Sequence, residues 1–170
     1  MCQFIHGLLQ LSQFNADILS VRIPESLHFF SINTFRNRSS ICILKVDKNN
    51  SIFDSREECN AIIRKNGNAL IYGCNSSFIP DGVETIDYRA FENCLGLTSI
   101  IIPASVHTIG PKAFYKCVNL ASVTISDSII DIGVSAFSYC SKSLVFYIPN
   151  GSKRKFETLL PQYKSKLVEI

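Results

Sequence analysis

The chain lacks a long hydrophobic run. No stretch of its 170 residues reaches the roughly 18 consecutive apolar residues that a membrane-spanning helix requires, which excludes such a helix. Positive charge is also missing ahead of the first apolar stretch, Ile5 to Leu11, and no small-residue cleavage site follows it. No signal peptide is therefore visible.

Charge of either sign is sparse. Charged residues make up 18% of the chain, against 46% hydrophobic residues, and the 17 basic and 14 acidic residues leave a net charge of +3. A continuous apolar core is expected from this composition, not a disordered tail. The scattered positive charge does not favour nucleic acid or an anionic membrane as a partner.

Motifs of known reactive sites are also missing. Seven cysteines are present, but none forms a CxxC or CxxH arrangement, which makes a structural zinc site improbable. The chain has no nucleophile elbow, phosphate-binding loop or HExxH motif. We therefore expect no enzyme, and no catalytic residue, metal or cofactor.

What the sequence does contain is an internal repeat with a period of 23 residues. Isoleucine, valine, alanine, phenylalanine and cysteine recur in one frame over three successive units. The matching sets are Ile79/Ile102/Ile125/Ile148, Val83/Val106/Ile129, Ala90/Ala113/Ala136, Phe91/Phe114/Phe137 and Cys94/Cys117/Cys140. So many matches in one frame indicate a solenoid of stacked units.

The same frame divides the whole chain, which we interpret as a single domain. Residues 1–22 form an incomplete first repeat, 23–46 a degenerate repeat, 47–78 a repeat with an insertion, 79–148 three regular repeats, and 149–170 a C-terminal cap. The insertion adds about ten residues around Asn66-Gly67, which predicts a hairpin between Ala61–Ile63 and Ala69–Ile71. The first twenty residues show no comparable cap, which suggests a truncated N-terminus.

Each unit predicts a strand and a return. Ile100 and Ile102 alternate with Ser99 and Ile101, which is typical of a strand that Pro103 ends. The segment AFYKCVNL has apolar residues at helical spacing, which indicates a short helical or irregular return. The result is an α/β solenoid with short parallel strands on one face. In the cap, Ser152 is expected to begin a helix that ends at Leu160, and 166–170 to add a strand.

Units such as IPASVHTIGPKAFYKCVNLASVTIS resemble the BspA-type leucine-rich repeats, and the resemblance covers most of residues 18–170. It implies an α/β leucine-rich repeat solenoid. It also implies a cell-surface or secreted adhesive protein that binds a host or cell-surface partner, either protein or glycan. A non-catalytic spacer, or a truncated repeat copy without a ligand of its own, is the alternative.

In such a fold the strand residues that point away from the core are the expected partner-binding residues. We predict one exposed column, of mixed cationic, aromatic and aliphatic character that suits a protein contact. Its members are Arg22, Lys45, Phe78, Ile101, Thr124 and Tyr147. A neighbouring column comprises Ser20, Ile43, Ser76, Ser99, Ser122 and Val145. An ordinary solvated sheet face is the alternative interpretation.

The repeated cysteines are expected to be buried and reduced, because equivalent side chains in a stack point the same way and not at each other. Cys59 and Cys74 flank the predicted hairpin and are the best candidates for a disulfide, if the chain has one.

Overall fold

A computed structural model describes residues 2–4, 20–29, 31–35 and 40–170. The apolar stretch Ile5 to Leu11 lies outside these residues. The strands are β1 (Cys2–Phe4), β2 (Ser20–Ile23), β3 (Ile43–Val46), β4 (Phe53–Asp54), β5 (Ala61–Arg64), β6 (Ala69–Gly73), β7 (Thr85–Ile86), β8 (Ser99–Ile102), β9 (Thr108–Ile109), β10 (Ser122–Ile125), β11 (Asp131–Ile132), β12 (Val145–Ile148) and β13 (Leu167–Glu169). An α-helix, α1, spans Lys153–Leu159, and 3-10 segments span Ile32–Phe35, Arg56–Glu58 and Pro161–Lys166.

The predicted parallel strands form, but they lie in two separate sheets. One sheet has the order β1-β2-β3 and the other the order β13-β12-β10-β8, all parallel. Equivalent residues pair with the period of the repeat, as Ile100 does with Val123. The row of parallel strands is therefore interrupted in the unit of residues 47–78.

The interruption has a local cause. Phe78 lies outside the strands, and its N–H donates to the Cys59 carbonyl at 3.2 Å. The Ser77 hydroxyl donates to the Asn60 carbonyl and accepts from the Cys74 N–H. Ser77 and Phe78 thus bond to residues of the insertion and do not pair with β3 or β8.

A third sheet, absent from the sequence-based prediction, runs along a second side of the solenoid. Its order is β11-β9-β7-β6-β5-β4. The hairpin signal is confirmed, since β5 and β6 pair antiparallel, but β6 also pairs parallel with β7. The hairpin is therefore a layer of the stack and does not project from it.

This layer separates two apolar cores. Ile63 and Leu70 of the hairpin pack into the larger core with the regular repeats, whereas Ile62 and Tyr72 pack into the smaller core with the degenerate repeat. Both faces of β5 and β6 are consequently buried. In the larger core, the rings of Phe91, Phe114 and Phe137 stack with centroids 4.9 and 5.1 Å apart.

The returns are chains of tight turns, so AFYKCVNL takes the irregular of the two predicted forms and not the helical one. Within it, the Ala113, Tyr115 and Cys117 N–H groups donate to carbonyls three residues earlier. Lys112 and Lys116 have φ values of 58° and 61°, which no α-helix accommodates. The units also approach closely here, since a Cβ on Gly133 would lie 2.3 Å from the Pro111 nitrogen.

The C-terminal segment covers the last unit, as predicted. Phe156 and Leu160 are buried in the larger core, and β13 pairs with β12. Ser152 occupies the N-cap position, but its hydroxyl donates to the Pro149 carbonyl and makes no side-chain cap bond to the helix. Lys153 and Arg154 are exposed, whereas Lys155 bonds to Asp127 at 3.0 Å.

Candidate functional site: the exposed sheet face

The predicted column of partner-binding residues is distributed over the two parallel sheets and the gap between them. Arg22 and Lys45 are direct neighbours in one sheet, and both are exposed. Ile101, Thr124 and Tyr147 are consecutive neighbours in the other. The structure therefore divides the column into two groups, one in each sheet, and Phe78 lies on the segment between them.

Exposure within the column is uneven. The Ile101 side chain is 69% exposed and Phe78 is 44% exposed, whereas Thr124 and Tyr147 are half-buried. Large apolar side chains with this exposure are in contact with water, and a partner that covers them would remove this contact. Ile101 and Phe78 are consequently the members with most apolar surface to offer to a partner.

These two residues border a surface groove of about 490 Å³. Its walls comprise Ser77–Asp81, Ser99–Ile101, Pro103 and Glu57. Ser99 comes from the neighbouring column, so the two predicted columns meet in this groove. Glu57 and Asp81 bring acidic groups to its rim, and sequence reasoning missed both because they belong to the irregular insertion and to a turn.

Charge divides the face into two regions. Arg22 and Lys45 make the end of the shorter sheet cationic, whereas the column from Phe78 to Tyr147 carries no charge. The arrangement provides apolar contact beside hydrogen-bonding hydroxyl groups, a composition found in protein interfaces.

Val168 extends this face beyond the predicted column. It pairs with Tyr147 and is 42% exposed. The C-terminal strand was expected, but its register was not: Leu167 lies opposite Phe146, an offset of 21 where the repeat has 23. The sequence frame therefore gave no signal for this residue.

The repeated cysteines form hydrogen bonds between units and no reactive site. The Cys117 thiol donates to the Phe91 carbonyl at 3.0 Å, and the Cys140 thiol to the Phe114 carbonyl at 3.2 Å. Beyond the last repeat, the Tyr163 hydroxyl makes the equivalent bond to Phe137 at 2.8 Å. Burial raises the pKa of the Cys140 thiol to about 12, so it remains protonated at neutral pH.

Cys59 and Cys74 are not bonded to each other. Both are buried free thiols, with the Cys59 sulfur 3.8 Å from the Ala61 carbonyl and the Cys74 sulfur 3.4 Å from the Asn60 carbonyl. Within the described ranges, no three His, Cys, Asp or Glu residues are grouped so that they hold a metal ion. No helix among the described residues is both long and apolar enough to cross a bilayer.

The repeat pattern and the stacked architecture match one family. A model of the BspA type leucine rich repeat region matches residues 63–160, in six copies, which is more than half of the chain. The chain belongs to the BspA-type leucine-rich repeat family. A comparison with curated proteins gives no significant match.

Two solved structures of leucine-rich repeat proteins have a similar fold. A leucine-rich repeat protein from Eubacterium ventriosum has 17% identity over 80% of this chain, with a TM-score of 0.55. A leucine rich cell surface protein from Faecalibacterium prausnitzii has 20% identity over 88%, with a TM-score of 0.52. This chain spans 43% and 52% of those two chains, and the likeness concerns the fold. Leucine-rich repeat families are typically non-enzymatic interaction modules.

Proposed function

We propose that the chain is a protein-interaction module that binds its partner on the exposed sheet face. The observation that carries the proposal is the apolar pair Phe78 and Ile101, which stand 44% and 69% exposed on either side of a groove. Such side chains become buried anchors when a partner excludes water from them. The two exposed apolar side chains favour a protein partner over a glycan.

The proposed setting is the cell surface or the extracellular space, with an adhesin-like role toward host or cell-surface molecules. The family assignment supports it, and one structural neighbour is described as a cell surface protein. The exposed Arg22 and Lys45 add a cationic end to the face, which would orient an acidic patch of the partner.

The test measures binding to immobilised extracellular-matrix proteins and to epithelial cells. In the variant Lys45→Ser/Phe78→Ser/Ile101→Ser, we expect at least tenfold weaker binding. Its thermal midpoint should shift by less than about 3 °C, because all three side chains are exposed. The matched control is Leu95→Ser/Val118→Ser/Ile130→Ser, whose side chains are exposed on other parts of the solenoid.

Two results would contradict the proposal. Equal loss of binding in both variants would place the partner elsewhere on the molecule. Absence of binding across the whole panel would favour a structural spacer, in which the sheet face is an ordinary solvated surface.

A further inference from the structure

A groove of about 890 Å³ lies between the last return and the C-terminal cap, a size within the range of ligand pockets. One wall is the return of residues 132–139, and the other is residues 158–163 of the cap. No residue in either wall carries a charged side chain, and the surface of the groove is more polar than apolar. We therefore expect a ligand of this groove to be uncharged and rich in hydrogen-bonding groups.

Hydroxyl and amide groups lie on both walls. Ser135 and Ser138 contribute hydroxyl groups from the return. Thr158 and Gln162 contribute a hydroxyl and an amide from the cap, and both side chains are exposed. Each of these four side chains can donate as well as accept a hydrogen bond. The groove is thus equipped for a ligand that also does both.

Backbone N–H groups add further donors to the return. In the preceding unit, the N–H groups of three alternate residues donate to carbonyls of this return at 3.1, 2.8 and 2.9 Å; they belong to Lys112, Phe114 and Lys116. Their equivalents 23 residues later are Ser135, Phe137 and Tyr139, which have no hydrogen-bond acceptor for their N–H groups within residues 40–170. The φ values of Ser135 and Tyr139 are 58° and 62°, so these donors belong to turns and not to the edge of a strand.

Tyr139 provides an aromatic ring in the same wall. Its side chain is 69% exposed, yet its ring is held against that of Tyr115, with centroids 5.2 Å apart and planes at 77°. On the other wall Tyr163 is fixed by its hydroxyl, which donates to the Phe137 carbonyl at 2.8 Å. A ring that is both held and exposed offers apolar contact to a ligand at little cost in conformational entropy.

We propose that this groove binds an uncharged oligosaccharide. The hydroxyl groups around a sugar ring donate and accept in several directions, so they match the turn N–H groups and polar side chains without the regular spacing of a peptide strand. The flat C–H face of the sugar ring is apolar and packs on Tyr139. Uronic acids, sialic acids and sulfated sugars fit less well, because their charge would lose water without gaining a partner in these walls.

The test is an NMR titration of the isotope-labelled chain with cellotriose, maltotriose and mannotriose, and with trigalacturonate as an acidic counterpart. With at least one neutral trisaccharide, the amide signals of Ser135, Phe137 and Tyr139 should shift to saturation. Trigalacturonate should bind at least tenfold more weakly. Tyr139→Ser should weaken binding of the neutral sugar at least tenfold. The matched control is Tyr88→Ser, which removes a 41% exposed tyrosine two units earlier and should leave binding unchanged.

Absence of shifts at the three amides with all neutral trisaccharides would contradict the proposal, and this readout needs no variant to fold. Stronger binding of trigalacturonate that is lost in Lys112→Gln/Lys116→Gln would indicate an acidic ligand, held by the two lysines that lie 5.5 Å from the centre of the Tyr115 ring. Equal weakening in Tyr88→Ser would place the sugar elsewhere on the returns.

The groove is separate from the sheet face that carries Phe78 and Ile101, so the two proposals fail independently. Phe78→Ser/Ile101→Ser should bind the neutral trisaccharide as the unaltered chain does. Loss of sugar binding in that variant would place the saccharide on the sheet face and overturn the assignment to the groove.

Discussion

At the scale of single residues, Asn50 illustrates how the irregular part of the chain is held. Its side chain is fully buried. The amide nitrogen donates to the carbonyls of Pro24 and Leu27 at 2.8 and 2.9 Å. The amide oxygen accepts from the N–H groups of Ile52 and Phe53 at 2.9 and 2.8 Å. One side chain thus joins the degenerate repeat to the insertion and satisfies four backbone groups.

The variant Asn50→Leu should therefore lower the free energy of unfolding by at least about 3 kcal/mol, because several buried backbone groups lose their partner at roughly 1–3 kcal/mol each. Urea denaturation measures this. Asn49→Leu is the matched control, since Asn49 is exposed, and it should change stability by about 0.5 kcal/mol or less. Similar losses in the two variants would refute the structural role of Asn50.

At the scale of elements, the returns show how a helical pattern arises without a helix. Ala113, Phe114, Cys117 and Leu120 all point inward, as the spacing predicts, and all are fully buried. Alternate N–H groups of their segment bond to carbonyls three residues earlier, and the N–H groups between them, such as those of Phe114 and Lys116, bond to carbonyls of the neighbouring unit. The spacing of apolar residues cannot distinguish a helix from a chain of turns, because both place these residues on one inward face.

The positive φ values of the returns lead to a prediction at Lys116, whose φ is 61°. A β-branched residue is strongly disfavoured in this left-handed conformation. Lys116→Val should therefore lower the free energy of unfolding by about 1–2 kcal/mol. Lys142→Val is the control: Lys142 is also exposed, but it is not among the residues with positive φ. Equal effects of the two substitutions, in chemical denaturation, would contradict the backbone argument.

The C-terminal segment supports a prediction about the open end of the stack. Deletion of residues 150–170 removes Phe156 and Leu160 from the larger core and uncovers Phe146, which is fully buried and whose ring lies 5.1 Å from that of Tyr163. An apolar patch on the order of several hundred Å² should drive association, detectable by light scattering. Lys153→Gln/Arg154→Gln/Lys155→Gln should instead remain monomeric and lose about 1 kcal/mol or less per site. A monomeric, folded deletion variant would refute the cap.

At the scale of the whole molecule, buried thiols distributed over the solenoid make its stability depend on pH. Burial raises the pKa of Cys59 from 9.0 to about 11 and that of Cys140 to about 12, and raises the pKa of Cys94 and Cys117 as well. Above pH 9.0 the unfolded chain releases these protons while the folded chain retains them. The stability is therefore complete below pH 9.0 and falls as the pH rises toward the folded pKa values.

Each such thiol should reduce the free energy of unfolding by up to about 1.4 kcal/mol per pH unit in that window. Urea denaturation between pH 7.5 and 10.5 measures the slope. Cys117→Ala should reduce that slope by about one thiol's share, whereas Cys42→Ala, at an exposed thiol, should leave it unchanged. A stability that stays flat across this range would contradict the buried, protonated state of the column.

The sequence pattern predicted the regular repeats but not the placement of the hairpin insertion, because only the repeats have contacts that recur with a fixed period. The 23-residue period predicted which residues of 79–148 face inward, because stacking repeats the same contacts in every unit. It did not predict that the hairpin would form a layer between two cores, since that depends on the pairing of β6 with β7. For the sheet face, alternation identified Ile101 and Phe78, but the groove between them depends on how the insertion displaces the strand.

The most direct test of the account is an NMR titration that follows the isoleucine methyl signals. The titrant is an extracellular-matrix protein to which the chain binds in the assay described above. Ile43 and Ile101 are exposed on the sheet face, and Ile130 is 72% exposed away from it. If the sheet face binds the partner, the methyl signal of Ile101 should shift on binding. The signal of Ile43 should shift as well if the contact extends to Arg22 and Lys45. The signal of Ile130 should stay in place. Shifts at Ile130 with an unperturbed Ile101 would contradict the account.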